Sequence, residues 1–187
     1  MPLLRMRNAS FAAAGSPVGP VTLDVCPGER AALTFASAHE AAIVALLASG
    51  IVKASGGSVL IDDYDPRVQS VHCKRVAALV PHEPFPMGEA DFMRYVAYRA
   101  ALWNVEPRCA LAHAALLRER LIGMHDAFAY PLIGALIVMP KLIVLDRPQA
   151  AYARQILAVT QTSALLSTHT NAAAAAAFAN LRTVKPA

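Results

Sequence analysis

Three side chains suited to acid–base chemistry lie where predicted strands end. Asp146 directly follows the apolar run 142–145, His169 ends a shorter apolar run, and His82 follows a strand predicted to finish at Val80. Carboxylate and imidazole groups can transfer protons near neutral pH. Each residue also has a plain structural interpretation: Asp146 can cap the turn after its strand, and either histidine can be an ordinary loop or packing residue. Residue type alone leaves both alternatives open.

A fourth acidic group, Glu40, stands at a predicted helix start. Ser37 and Glu40, three residues apart, form a capping-box pattern ahead of the helix formers 41–47, and Gly50 is a suitable C-terminal stop. As a first-turn acid, Glu40 is also favoured simply by the helix dipole.

The elements that must position these residues alternate along the chain. Strands are predicted at residues 3–11, 18–25, 31–35, 58–61, 76–80, 142–145, 164–166 and 181–184, and helices at 41–47, within 89–120 with breaks near Asn104 and Pro107, at 132–139 and at 171–180. This alternation predicts an α/β domain with a mainly parallel sheet, to which the opening hairpin adds an antiparallel part. The unbroken apolar run 142–145 predicts a central parallel strand covered on both faces.

Composition excludes several classes of protein. The 187 residues fit one domain, and the mean hydropathy of +0.42 owes much to alanine. No run approaches the roughly 18 apolar residues of a membrane span, and we expect no secretory signal. The net charge of +4 is spread out, whereas nucleic-acid binding usually needs a dense basic face. Cys26, Cys73 and Cys109 are scattered, match no metal-ligand spacing and suit a reducing cytosol.

Six segments follow one another in a recognisable order over nearly the whole chain: 9–18, 27–33, 55–62, 81–84, 140–148 and 165–169. In that order they resemble the opening hairpin, the strand entering the phosphate loop, the segment after the first helix, the glutamine loop, the Walker B strand and the switch-histidine loop of ATP-binding cassette (ABC) transporter ATPase domains. The resemblance implies a P-loop NTPase-like core in a single domain spanning residues 1–187, with a shortened helical subdomain at about 86–130.

Within this resemblance, the phosphate loop departs from the family pattern. That loop uses glycines to curl backbone N–H groups around phosphates, a lysine for the β- and γ-phosphates and a Ser/Thr for magnesium. Ala41 stands at the lysine position, Ala42 at the magnesium-ligand position and Glu40 where a small residue belongs. At an effective dielectric of about 20 and a separation of about 5 Å, each altered charge pair is worth roughly 3 kcal/mol.

Other positions depart as well. Arg147 replaces the glutamate expected after Asp146, and a cation cannot accept a proton from the attacking water. His82 replaces the glutamine, and Ala13 lies near the position of the adenine-stacking aromatic. Residues 123–128 lack the serine and paired glycines of the dimer-bridging signature. Only Asp146 and His169 match family functional residues, so we expect no enzyme, but a pseudo-ATPase without cofactor, metal or nucleotide.

The resemblance then implies a subunit of a larger assembly. We expect a cytoplasmic structural or regulatory component at the inner face of the cell membrane, whose partner is a membrane protein or an intact ABC ATPase subunit. The family's docking surface falls here on His82, Phe85, Met87, Phe92 and Met93. The alternatives are a soluble adaptor or regulator built on the same fold, and an ABC transporter ATPase with residual nucleotide binding.

Overall fold

A computed structural model describes residues 1–12, 17–83, 86–178 and 183–184 of the chain. Its strands are β1 (Leu4–Phe11), β2 (Val18–Val25), β3 (Arg30–Thr34), β4 (Gly56–Ile61), β5 (Ala77–Val80), β6 (Leu142–Asp146), β7 (Ala164–His169) and β8 (Thr183–Val184). Its α-helices are α1 (Ala38–Ala48), α2 (Ser70–Val76), α3 (Glu89–Leu102), α4 (Pro107–Arg120), α5 (Asp126–Leu136), α6 (Ala153–Val159) and α7 (Ala172–Ala176), with a 3-10 turn at Ala150–Tyr152.

Two sheets organise the described part of the chain. One is antiparallel in the order β2-β1-β4, and the other is parallel in the order β5-β6-β7-β3-β8. β6 lies inside the parallel sheet, and all five of its residues are buried, as the apolar run predicts. The expected α/β class with a parallel sheet and an antiparallel hairpin is confirmed.

Helix α1 connects the two sheets and begins as the sequence predicts. The Ser37 hydroxyl accepts a hydrogen bond from the Glu40 N–H at 3.1 Å, and the Glu40 carboxylate accepts one from the Ser37 N–H at 3.2 Å. Both halves of the capping box are therefore present. After the helix, Gly50 takes a φ of 71°, which a residue with a side chain adopts only at a cost.

Helices α3, α4 and α5 form a second packed layer. The rings of Phe92 and Tyr130 stack with their centroids 3.9 Å apart, and Arg118 lies over the Tyr130 ring while pairing with Glu89. This layer joins the sheet through the side chains of Ile143, Leu145 and Leu165. None of the described helices has the length and apolar character to cross a membrane.

Several element boundaries differ from the sequence expectation. Helix α5 begins at Asp126, six residues before the expected start at Leu132, because the His125 side chain caps it by accepting from the Ala127 N–H at 3.2 Å. Helices α2 and α6 were not expected from the sequence, since each is only seven residues long and has no side-chain cap. Helix α7 ends at Ala176, four residues earlier than expected. The expected strand 181–184 is described only at Thr183–Val184.

Two glycines with nearly equal positive φ allow the cost of steric overlap to be distinguished from the cost of backbone strain. A Cβ at Gly57 (φ 68°) would overlap the backbone of Arg7 and Asn8 in β1, whereas a Cβ at Gly28 (φ 74°) meets nothing within 4 Å. We expect Gly28→Ala to cost about 1 kcal/mol of unfolding free energy, and Gly57→Ala to cost at least about 2 kcal/mol more. Urea unfolding of both variants measures the difference. Equal losses would show that β1 and β4 do not approach this closely.

Candidate functional site

The carboxyl ends of neighbouring parallel strands gather the polar residues at one edge of the sheet. In the ladder, Asp146 of β6 lies beside Thr168 of β7, and His169 of β7 lies beside Thr34 of β3. His82 follows β5 at the same edge, so the three strand-end residues singled out in the sequence come to one region. Open α/β sheets bind ligands outside the carboxyl ends of their strands, so this edge is the candidate site.

At the centre of the edge, Asp146 is held by its own neighbour. Arg147 donates from Nε to Asp146 Oδ1 at 2.8 Å and from Nη2 to Oδ2 at 3.0 Å, a bidentate pair. The carboxylate raises the pKa of the Arg147 guanidinium, chiefly through this hydrogen bonding. Thr168 Oγ1 also donates to Asp146 Oδ1, at 3.4 Å. Asp146 is therefore a paired, nearly buried charge with 9% exposure.

The backbone of Arg147 makes this pairing possible. Its φ of 44° lies in the left-handed region, its N–H donates to Thr168 O at 2.9 Å, and its carbonyl lies 2.8 Å from His82 Nδ1. Since a carbonyl only accepts, Nδ1 of His82 carries the proton. His82 thus fastens the segment after β5 to the segment after β6.

A narrow pocket opens beside this cluster. It lies between the strand ends and α5, with Phe128 and Tyr152 among its lining residues, and its free volume of about 30 Å³ holds few water molecules. Sequence reasoning did not single out these two aromatics. They are far apart in the chain, and no local pattern brings them to Arg147.

His169 lies on the other side of the cluster and is buried. Its Nε2 is 2.9 Å from Ser167 Oγ, and its ring lies 5.4 Å from the ring of Phe178. Its carbonyl accepts from the Phe35 N–H at 2.8 Å, which ties the end of β7 to the loop before α1. Burial lowers the pKa of the imidazole from 6.5 to about 4, so it is neutral at physiological pH.

The loop between β3 and α1 is short and open to solvent. Residues 36–39 are exposed, Glu40 and Ala42 are half-buried, and Ala41 is fully buried in the hydrophobic core that α1 shares with both sheets. The Glu40 carboxylate is turned back onto the Ser37 N–H instead of projecting away from the helix. Of the degenerate nucleotide positions, Glu40, Ala41 and Ala42 therefore lie at the start of α1, where only Glu40 and Ala42 are partly exposed.

The residues expected to contact a partner differ in their exposure to solvent. Met93 is exposed at 41%, Met87 and His82 are partly buried, and Phe85 lies outside the described residues. Phe92 is only 2% exposed because it stacks on Tyr130, so the expectation that it offers an open contact is wrong. Its side chain instead forms the floor of a groove of about 390 Å³ between α3 and α4.

The comparisons with known proteins identify the fold. No family model matches the chain. It is 27% identical over 169 residues to the sulfate/thiosulfate import ATP-binding protein CysA of Xanthomonas campestris, a match that covers 82% of this chain and 48% of that protein. The chain thus spans about half the length of that curated relative.

Solved structures agree on the architecture. An ATP-binding subunit of an ABC transporter superposes with a TM-score of 0.80 at 16% identity, covering 98% of this chain and 85% of that one. An ATP-binding cassette solved as a dimer with ADP and Pi superposes with a TM-score of 0.72 at 13% identity, covering 98% and 94%. The chain has the α/β fold of an ABC transporter ATP-binding domain.

These findings correct one expectation from the sequence. The departures at Ala41, Ala42 and Arg147 predicted a chain that is no enzyme. The proteins it resembles are ATP-binding subunits, and one of those structures contains the products ADP and Pi. The comparisons therefore contradict the expectation that the chain is no enzyme.

The buried His169 predicts a pH dependence of stability. The unfolded chain protonates this imidazole near pH 6.5 and the folded chain only near pH 4. The contribution is therefore complete above pH 6.5 and is lost as the pH falls toward 4. The shift corresponds to about 3 kcal/mol of unfolding free energy. Urea unfolding across this range should show His169→Gln losing this part of the pH dependence, whereas His39→Gln, at an exposed position, keeps it. An unchanged profile in His169→Gln would contradict the buried neutral state.

Proposed function

We propose that the chain is the ATP-binding cassette subunit of a transporter-like membrane assembly, in which it binds nucleotide and takes part in ATP turnover. The observation that carries the proposal is the strand-end edge of an ABC ATP-binding fold, where Asp146 and His169 end neighbouring strands and the His169 carbonyl is bonded to the loop before α1. We place this assembly at the inner face of the cell membrane, and we expect the membrane partner to determine which substrate is transported.

In this proposal the phosphates bind at the start of α1. The first turn of a helix offers N–H groups without helical partners and the positive end of the helix dipole. The exposed residues 36–39 leave that turn open to a ligand. The Glu40 carboxylate, bonded to the Ser37 N–H, competes with phosphate for the same helix end.

The competition predicts that removing one charge strengthens nucleotide binding. Glu40→Gln retains an oxygen for the Ser37 N–H and removes the repulsion, which is worth about 1 kcal/mol in a loop that water screens. We expect ATP affinity to rise by about fivefold. Equilibrium dialysis with labelled ATP measures it, and Glu119→Gln on α4 is the matched control. Equal affinities in wild type and Glu40→Gln would place the phosphates elsewhere.

Turnover is tested in the assembly. Asp146→Asn removes the charge that pairs with Arg147 at the site edge, and we expect it to lower ATP hydrolysis by the purified membrane complex by about tenfold or more. Asp63→Asn, at an exposed position after β4 and outside the helical subdomain, should leave the rate unchanged. If Asp146→Asn hydrolysed ATP at the wild-type rate, ATP turnover would not depend on this site.

The partner docks, in our proposal, on the helical subdomain, residues 86–130. The groove between α3 and α4 has Phe92 as an apolar floor, with Met93 and Ile122 exposed beside it and the Glu89–Arg118 ion pair at its rim. An apolar centre with a polar rim is the usual anatomy of an interface. A stable contact buries at least about 1,000 Å².

Docking predicts a selective loss of the membrane partner. Met93→Asp puts a charge into the groove and should reduce recovery of the chain with native membranes by about tenfold or more. Val68→Asp, at a position that is 81% exposed and outside the groove, should leave recovery unchanged. Equal recovery of both variants would exclude the groove, and a wild-type monomer that recovers no membrane protein would favour a soluble adaptor.

A further inference from the structure

The residues at the strand-end edge can be compared with the ligands that hold the magnesium ion in ABC-type ATPases. P-loop chemistry assigns the metal to a Ser/Thr hydroxyl at the start of the first helix and to an acid at the end of the Walker B strand. The corresponding residues here are Ala42 and Asp146. Ala42 has no side-chain oxygen, and Asp146 is already engaged by a cation, so the residues present do not fit the metal.

Both carboxylate oxygens of Asp146 have donors from the chain itself. Oδ1 accepts from Arg147 Nε and Thr168 Oγ1, and Oδ2 accepts from Arg147 Nη2. A divalent ion must either displace the guanidinium from a nearly buried carboxylate or lie against it, where like charges repel. Bidentate guanidinium–carboxylate pairs are among the stronger charge-assisted contacts, so displacement is costly.

The backbone holds the Arg147 side chain in this position. Its N–H is bonded to Thr168 O and its carbonyl accepts from His82 Nδ1, so hydrogen bonds from two other segments fix both of its peptide groups. A left-handed φ of 44° at a non-glycine residue persists only where its surroundings hold it. The pair is therefore a built feature of the site and not a chance surface contact.

We propose that Arg147 is the built-in cation of Asp146, replacing a divalent metal, and that this chain engages nucleotide without magnesium. The second clause rests on the proposed function; the first does not. Charge neutralisation at the end of β6 then comes from the polypeptide and is independent of the metal concentration.

Metal binding without nucleotide tests the first clause. Mn²⁺ titration followed by electron paramagnetic resonance compares wild type with Asp146→Asn, Arg147→Ala and Arg147→Glu. We expect Asp146→Asn to bind Mn²⁺ as weakly as wild type. Arg147→Glu should bind Mn²⁺ at least about tenfold more tightly than wild type, and adding Asp146→Asn to it should abolish the gain. Arg7→Glu, which breaks the bidentate but exposed Arg7–Asp24 pair, is the control for any new pair of carboxylates.

Three results would overturn the first clause. The first is that wild type binds Mn²⁺ and Asp146→Asn removes this binding. The second is that Arg147→Ala and Arg147→Glu both fold but bind Mn²⁺ no more tightly than wild type, and the third is that Arg7→Glu increases Mn²⁺ affinity as much as Arg147→Glu does. Circular dichroism reports folding. If both Arg147 variants unfold, the comparison of wild type with Asp146→Asn still shows whether Asp146 binds a divalent ion.

A nucleotide titration separates the two clauses. A fluorescent ATP analogue should bind wild type with affinities within about threefold in Mg²⁺ and in EDTA. A tenfold or larger requirement for Mg²⁺ overturns metal-free binding. An absence of binding under both conditions refutes the proposed function, and with it the second clause, while the Mn²⁺ experiment still decides the role of Arg147.

Discussion

The fold depends on the burial of one strand, β6, between two hydrophobic cores. Leu142 and Val144 belong to the core shared with α1 and the antiparallel sheet, while Ile143 and Leu145 belong to the core of the helical layer. β5 and β7 complete its hydrogen bonding on both sides. Each large apolar side chain buried in this way stabilises the fold by about 1.5–3 kcal/mol. Side chains on both faces of this one strand therefore join the helical layer to the sheet.

Burying β6 creates an electrostatic problem at its end. Asp146 is carried to the edge of the sheet with 9% exposure, and an unpaired charge at such a depth costs about 3–5 kcal/mol. Arg147 solves it from the adjacent position by taking a left-handed backbone conformation, which costs about 1–3 kcal/mol. The pairing outweighs the strain. The same backbone then offers its carbonyl to His82, so the chemistry of the edge follows from the burial of the strand.

Sequence patterns predicted the sheet better than the site. The apolar run 142–145, the capping box of Ser37 and Glu40, and the break at Asn104 (φ 55°) are local signals whose cause lies within a few residues. The contact of Arg147 with Asp146 depends on a positive φ, which no residue type at that position indicates. The burial of Phe92 depends on Tyr130, a partner 38 positions away, and periodicity does not reveal which apolar residue of a helix meets such a partner.

The part of the failed expectation that rested on the phosphate loop has a physical cause, because the effective dielectric assumed for that loop was too low. At an effective dielectric of about 20, each altered charge is worth roughly 3 kcal/mol. In the structure residues 36–39 are exposed and Glu40 is half-buried, so water screens the loop and the same charges at about 5 Å are worth closer to 1 kcal/mol each. A missing lysine and an added carboxylate then weaken a ligand by about 2 kcal/mol together, against the roughly 8 kcal/mol of a micromolar complex. Substitutions of that size shift an affinity and do not abolish it, so residue types in the loop were too weak a basis for excluding ATP chemistry.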